Sequence, residues 1–265
     1  MNGNPVTDIF APGAAPTAIL LAMRLTGLML VAPVFSAKTV PVAVRTALLV
    51  LFTILIQPLA FASVRHAPSI TPAAAAGELL VGFAIGLGAA LLVGAADAAG
   101  DLLATQIGLS GASLLDPLNN ASEPVLANFL SLFTVTVLLA LNAHLGMLEA
   151  IAASLRAIPI GTALDVQRGL SALLALGGTL FVTGLRFAAP VVATVMIGNV
   201  ALAVLSRAAP QLNILSIAFP LQIGLGLFAL GIALPLIATT LGDWPTQYDH
   251  QLTTVFSAFV PAGAR

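Results

Sequence analysis

Long apolar runs alternate with short polar connections along almost the whole chain. Each run holds about the 20 apolar residues that a membrane-spanning helix requires, or more. The connections carry proline, glycine, asparagine and aspartate, which are typical of turns. The pattern therefore predicts an all-α membrane protein with six helical segments, namely Thr17 to Phe35, Pro41 to Phe61, Pro72 to Gly108, Pro124 to Ile158, Val166 to Arg207 and Asn213 to Leu241.

Several of these segments are too long for a simple membrane crossing. The third reaches roughly 50 Å at 1.5 Å per residue, whereas the hydrocarbon layer is about 30 Å thick. Prolines within the runs predict kinks or breaks, and they are Pro58 in the second segment, Pro190 in the fifth, and Pro220 and Pro235 in the sixth. Long, kinked helices of this kind indicate packing against protein neighbours in an assembly.

The composition narrows the function classes. Of the 265 residues, 59% are hydrophobic and only 7% are charged, whereas an average soluble domain is about a quarter charged. A net charge of -1 with nine scattered basic residues gives no phosphate-tracking stripe, which argues against nucleic acid as a partner. The absence of cysteine excludes thiolate metal sites and cysteine nucleophiles. No cofactor is expected.

A few polar residues inside the apolar runs are candidates for function. Asp97 and Asp101 are four residues apart, so both carboxylates share one face of the third segment. They suit the proton relay of a secondary transporter, or they mark a helix end that lies in water or in a polar groove of a partner. His144 is expected to make an interhelical hydrogen bond, because no converging ligands for a metal lie within a turn or two.

Further residues in the apolar runs predict helix packing. Arg24, Arg186 and Glu78 are expected to pair with an opposite charge or a carbonyl, or to reach an interface. Gly82 and Gly86 form a small-xxx-small pair, which lets helices approach closely inside a membrane. We expect this pair to serve subunit packing.

The stretch "GLSG", Gly108 to Gly111, matches the G-x-S-G pattern of intramembrane serine proteases. Such chemistry needs a histidine within hydrogen-bond reach of Ser110, and only His144 and His250 follow it in the chain. In those proteases the serine opens a transmembrane helix, whereas here a polar loop with an Asp-Pro turn follows. A protease is therefore the weakest of the alternatives.

The stretch "SRAAPQLN" connects the fifth and sixth segments. Arg207 suits the C-terminus of a helix, Pro210 ends that helix, and Asn213 suits the N-cap of the next. The stretch is therefore expected to be the tip of a long helical hairpin. These local rules leave Gln211 unexplained.

Five stretches in order resemble the FliR family of flagellar biosynthetic proteins, the T component of the type III secretion export apparatus. They are "APVFSAKTVPVAVRTALLVLFTILIQP", "GELLVGFAIGLG", "QIGLSGASLLDP", "NAHLGMLEAIAASLRAIPIG" and "SRAAPQLNILSIAFPLQIGLGL". Together they reach from about Arg24 to about Leu241. Flagellar and virulence-type secretion gates share these motifs, and the sequence is more similar to the flagellar type.

The resemblance implies a fold, partners and a location. Long, kinked helical hairpins would pack into a helical hetero-oligomeric export gate at the bacterial inner membrane, together with FliP and FliQ and with FlhB and FlhA nearby. Residues 1–162 would resemble a FliP subunit, and residues 163–265 a FliQ hairpin. Unfolded flagellar proteins would pass through the shared channel, with membrane lipid around it. Gln211 would then lie at the hairpin tip and bond to neighbouring backbones.

The resemblance also implies a channel plug in the loop that follows the G-L-S motif. Family members often carry phenylalanines there, whereas this chain has Gly111 and Leu114. The plug is therefore expected to depend on leucine side chains and on residues of partner subunits. The residues of this plug or gate loop are Gly108, Ser110, Gly111, Leu114, Leu115, Asp116 and Pro117.

Overall fold

The computed structural model describes residues 13–37, 40–64, 68–109, 125–209, 211 and 214–261. Within these ranges every regular element is an α-helix, which confirms the all-α class. The helices, in chain order, are α1 Ala14–Val31, α2 Pro33–Ser36, α3 Val42–Ser63, α4 Pro72–Ile107, α5 Val125–Ala140, α6 Ala143–Ala157, α7 Val166–Ala208, α8 Ile214–Gly242 and α9 Trp244–Phe259.

The described helices are those of a membrane protein. Five of them (α1, α3, α4, α7 and α8) are long and apolar enough to cross a membrane, and the bent pair of α5 and α6 makes a sixth if it counts as one span. The third and fifth predicted segments form the single helices α4 and α7, of 36 and 43 residues. Both are longer than one perpendicular crossing needs.

Three helix boundaries differ from the expectation. The first segment breaks at Ala32, before Pro33, so a four-residue helix follows α1. The second continues through Pro58 to Ser63. The fourth segment is divided at Asn142, whose left-handed φ of 57° interrupts the helix. The two resulting helices, α5 and α6, meet at a 66° bend.

The polar tail after α8 folds into a helix that the apolar runs did not predict. Trp244 and Tyr248 stack on each other with 4.5 Å between ring centroids, and both are buried. The Tyr248 hydroxyl donates a 2.8 Å hydrogen bond to the Ile85 carbonyl. Burial, and then the adjacent Asp249 carboxylate, raises the pKa of Tyr248, so the donor keeps its proton.

The chain forms two compact units. The first comprises residues 1–91, 139–178 and 244–265, and the second comprises residues 92–138 and 179–243. In the first unit α1 packs closely against α4. The second buries apolar side chains of α4, α5, α7 and α8 in one core, among them Leu103, Leu130, Phe187 and Leu230. The division at 162/163 concerns likeness to FliP and FliQ, and it stays a prediction.

Candidate functional site

Helices α1 and α4 touch backbone to backbone at three glycines. A methyl group on Gly82 would overlap the carbonyl oxygen of Arg24 and lie 2.7 Å from its carbonyl carbon. On Gly86 it would lie 2.9 Å from the Leu28 carbonyl oxygen, and on Gly27 it would lie 2.8 Å from the Phe83 nitrogen. The small-xxx-small pair thus packs against α1 of the same chain. Its expected role between subunits stays a prediction.

The close contact brings two buried charges together. Arg24 Nε lies 2.6 Å from Glu78 Oε2, and the two side chains are 0% and 4% exposed. Glu78 and Gly82 are one turn apart on α4 and therefore share the face that meets α1. Because Gly82 has no side chain, α1 comes near enough for the guanidinium to reach the carboxylate. Arg24 and Glu78, two of the three charged residues expected to find a partner, are thus each other's partners, and Arg186 is exposed on α7.

Two further segments complete this ion pair. Arg24 donates from Nη1 to Ser154 Oγ at 2.9 Å and from Nη2 to the Ile158 carbonyl at 3.0 Å. The second oxygen of Glu78 accepts the Gly161 amide at 2.9 Å. Gly161 has a φ of +78°, a conformation that glycine adopts at little cost. The turn after α6 is therefore fixed against α1 and α4.

We call Arg24, Glu78, Ser154, Ile158 and Gly161 the arginine network. Each guanidinium nitrogen and both carboxylate oxygens have a partner, as buried charges require. The network joins residues more than a hundred positions apart in the chain. Sequence reasoning found its two charged members but missed Ser154 and Gly161. The signal was present, since "ASLRAIPIG" belongs to one of the stretches that carry the family resemblance.

The start of the predicted plug loop is a helix cap. Gly108 has a φ of +86°, and the Leu109 amide donates a 3.0 Å hydrogen bond to the Ala104 carbonyl. This arrangement is the left-handed glycine end of an α-helix. A side chain on Gly108 would meet the ring of Phe219 on α8 at 3.4 Å. The other predicted plug residues lie outside the described residues, and they are Ser110, Gly111, Leu114, Leu115, Asp116 and Pro117.

Helices α7 and α8 form the second part of the predicted packing set. Arg207 is exposed in the last turn of α7, and Gln211 is exposed between the two helices. Pro210 and Asn213 fall outside the described residues. Between the helices, Gln222 Nε2 donates a short hydrogen bond to Asn199 Oδ1. These roles in subunit packing stay predictions.

The remaining candidates show no catalytic or metal-binding geometry in the described part of the chain. Asp97 and Asp101 are exposed on α4 in the second unit, and His144 is half-buried on α6 in the first. Among the described residues the His144 Nδ1 atom has no hydrogen-bond partner. No group of three or more metal-ligating side chains converges among the described residues. The proton relay of Asp97 and Asp101, the interhelical hydrogen bond of His144 and a polar network that would join the three stay predictions.

Comparison with known proteins gives a consistent result. The family model described as bacterial export proteins, family 1, matches residues 15–246. A protein named flagellar biosynthetic protein FliR from Pectobacterium carotovorum subsp. carotovorum is 31% identical over 237 residues, which is 88% of this chain and 87% of that protein.

Two more relatives carry the same name. The Escherichia coli (strain K12) protein is 31% identical over 219 residues, 82% of this chain and 83% of its own length. The Bacillus subtilis (strain 168) protein is 26% identical over 249 residues, 88% and 90% of the two chains. On the match across residues 15–246 and on these relatives, the chain belongs to the FliR family of bacterial export proteins.

Proposed function

We propose that this chain is a multi-pass inner-membrane subunit of the flagellar type III protein export gate. In this proposal it forms, with FliP and FliQ, the channel through which unfolded flagellar proteins pass. FlhB and FlhA are further partners, and lipid surrounds the assembly. Membership in the FliR family across residues 15–246 supports the export role. The alternative function is a proton-coupled secondary transporter that uses Asp97 and Asp101. A virulence-type secretion gate, which uses the same motifs, is a further alternative.

One structural observation carries the assembly part of the proposal. Large apolar side chains are exposed along α7 from Val166 to Val204, including Phe181 and Ile197. This stretch rises roughly 57 Å, nearly twice the thickness of the hydrocarbon layer. Tilting by up to about 40° cannot hide that length in lipid. Protein neighbours must cover the remainder, as the subunits of a gate do.

Such a subunit has to form and open an apolar constriction and does not have to catalyse a reaction. An apolar constriction blocks ions by excluding water while the channel is closed. Opening then needs a second state only a few kcal/mol away. In our proposal Leu114 and Leu115 supply part of the constriction, and Gly108 fixes the start of their loop at the end of α4.

If Leu114 and Leu115 help to seal the closed channel, variants that lack their side chains should leak ions. Replacing Leu114 and Leu115 with glycine should raise ion conductance across membranes that hold the assembled gate, since water enters an apolar constriction when its side chains are removed. Leu109→Gly removes a leucine at the end of α4, where the loop begins and away from the two proposed sealing residues, and is the matched control. Conductance equal to that of the control, in assemblies shown to be intact, would remove the two leucines from the seal.

Export itself tests the function. Deleting the gene that encodes this chain should stop the appearance of flagellin in the medium, and restoring the gene should recover secretion. Unchanged flagellin export after deletion would overturn the proposed function. Loss of virulence-type secretion with normal flagella would favour the alternative gate.

A further inference from the structure

The first unit carries a groove between α6 and α9 that the arginine network does not use. Two adjoining cavities of about 640 Å³ and 270 Å³ make up the groove. The smaller cavity is lined by the first halves of both helices and the larger by their second halves, so the helices run in the same direction. Glu149 and Asp249 line both cavities and therefore lie at the junction.

The floor of the groove suits a helix. On α6, Ala150, Ala153 and Ala157 line the larger cavity and recur at a spacing that places them on one face of the helix. Small side chains let a second helix approach closely. Across the groove, Leu252 and Phe256 of α9 add apolar surface. The resulting trough is apolar at its base.

The rim of the groove carries three charged side chains that have no ion-pair partner within the described part of the chain. Glu149 and Asp249 are exposed near one another, and Arg156 is exposed seven residues further along α6. The salt bridges of the described residues involve none of the three. Seven residues of helix place Arg156 roughly 10 Å from Glu149 on the same face. The groove is therefore acidic at its centre and basic toward the end of α6.

A buried donor in the wall adds an independent observation. The Trp244 side chain is 4% exposed and lines the smaller cavity. Its indole nitrogen has no acceptor in the described part of the chain. Buried indole groups ordinarily find a hydrogen-bond partner. The Trp244 indole nitrogen therefore needs a hydrogen-bond acceptor, which another chain bound in the groove can supply.

We propose that the α6–α9 groove is the docking site for one amphipathic helix of another subunit of the export assembly. That helix lays small or apolar residues on the alanine face. A lysine or arginine of the helix pairs with Glu149 and Asp249, and an aspartate or glutamate about two turns away pairs with Arg156. The inference rests on the proposed function, because it adds one contact to that assembly.

The charges of the groove favour such a helix over lipid and over a second copy of this chain. Acyl chains carry no charges to match the acidic centre and the basic end. A second copy of this groove would place like charges opposite one another in the centre of a two-fold contact, which is unfavourable. A helix with opposite charges two turns apart satisfies both regions.

Photocrosslinking within the intact assembly tests the proposal. A photoreactive residue at Thr253, which lines the groove, is compared with one at the adjacent Thr254, which is exposed outside it. We expect Thr253, and not Thr254, to crosslink to a single helical peptide of another protein with the charge pattern above. Changing Glu149 and Asp249 to lysine should lower that yield by about tenfold or more, whereas Glu149→Gln with Asp249→Asn should lower it less.

Several results would overturn the docking site. They are crosslinks from Thr253 to lipid alone, to a second copy of this chain, or to a peptide without the charge pair, and a yield that charge reversal does not change. Flagellin export by the unaltered chain is measured in parallel. If that export fails, the proposed function is wrong, whereas normal export with unchanged crosslinks removes only the groove proposal.

Discussion

Replacing Arg24 with leucine should lower the free energy of unfolding of the first unit by about 3–5 kcal/mol, the usual cost of leaving one member of a buried ion pair alone. Glu78 would remain 4% exposed without its cation. The Ile158 carbonyl and the Ser154 hydroxyl would lose their donor as well. The turn that closes α6 would then lose its attachment to α1.

The chain offers a clean probe for this experiment. Trp244 is the sole tryptophan and is buried in the same unit as the arginine network. Its fluorescence during denaturation in detergent therefore reports the unfolding of that unit. The matched control is Arg24→Leu combined with Glu78→Leu. Removing both charges should recover much of the loss, because an apolar pair often replaces a buried ion pair at little cost.

The comparison of the two variants decides the role of the pair. If Arg24→Leu alone has the same free energy of unfolding as the double variant, the unpaired Glu78 carboxylate does not destabilise the unit. The arginine network would then not hold the first unit together. Ser154→Ala, which leaves one buried guanidinium N–H of Arg24 without its acceptor, should cost about 1–3 kcal/mol.

Replacing Gly82 with alanine should destabilise the α1–α4 contact by about 3 kcal/mol, at the upper end of the range for overpacked sites. The added methyl group would overlap the Arg24 carbonyl oxygen. Because the obstructing atoms are backbone, they cannot move aside as a flexible side chain does. The two helices must separate, and the Arg24–Glu78 pair must lengthen with them.

Other glycines provide graded controls for this variant. Gly86→Ala places its methyl group 2.9 Å from the Leu28 carbonyl oxygen, so it should cost less than Gly82→Ala. At Gly146 on α6 no atom of the described residues lies within 4 Å of the added group, and alanine there should stabilise the helix by about 0.5–1 kcal/mol. The same tryptophan fluorescence measures all three. Equal stabilities for the Gly82 and Gly146 variants would contradict the close α1–α4 contact.

The membrane helices were largely predictable because apolar length is a local property. The long apolar runs gave α4 and α7 almost to the residue, although α7 contains Pro190. The break at Asn142 was missed because asparagine is common in turns but also tolerated within helices. Its left-handed conformation depends on the surrounding fold. Helix α9 was missed for a similar reason. Its sequence is polar, and the helix is stabilised by burial of Trp244 and Tyr248 against distant residues.

The site was predictable only in part, because its contacts are not local. Arg24 and Glu78 were recognisable as charges in apolar surroundings that need partners. Their pairing over 54 positions, and the bond from Gly161 to Glu78 over 83, follow from how α1, α4 and α6 pack. Gly82 was found from its spacing with Gly86, but spacing alone does not tell which helix lies against the pair.

The size of the complex that contains this chain tests the central claim most directly. The tagged chain is extracted in mild detergent from membranes that also hold FliP and FliQ, and the mass of the purified species is determined. The account predicts one stable complex that contains all three proteins, since α7 exposes more apolar length than a bilayer covers. A chain that purifies as a stable monomer, while its cells export flagellin normally, would contradict it.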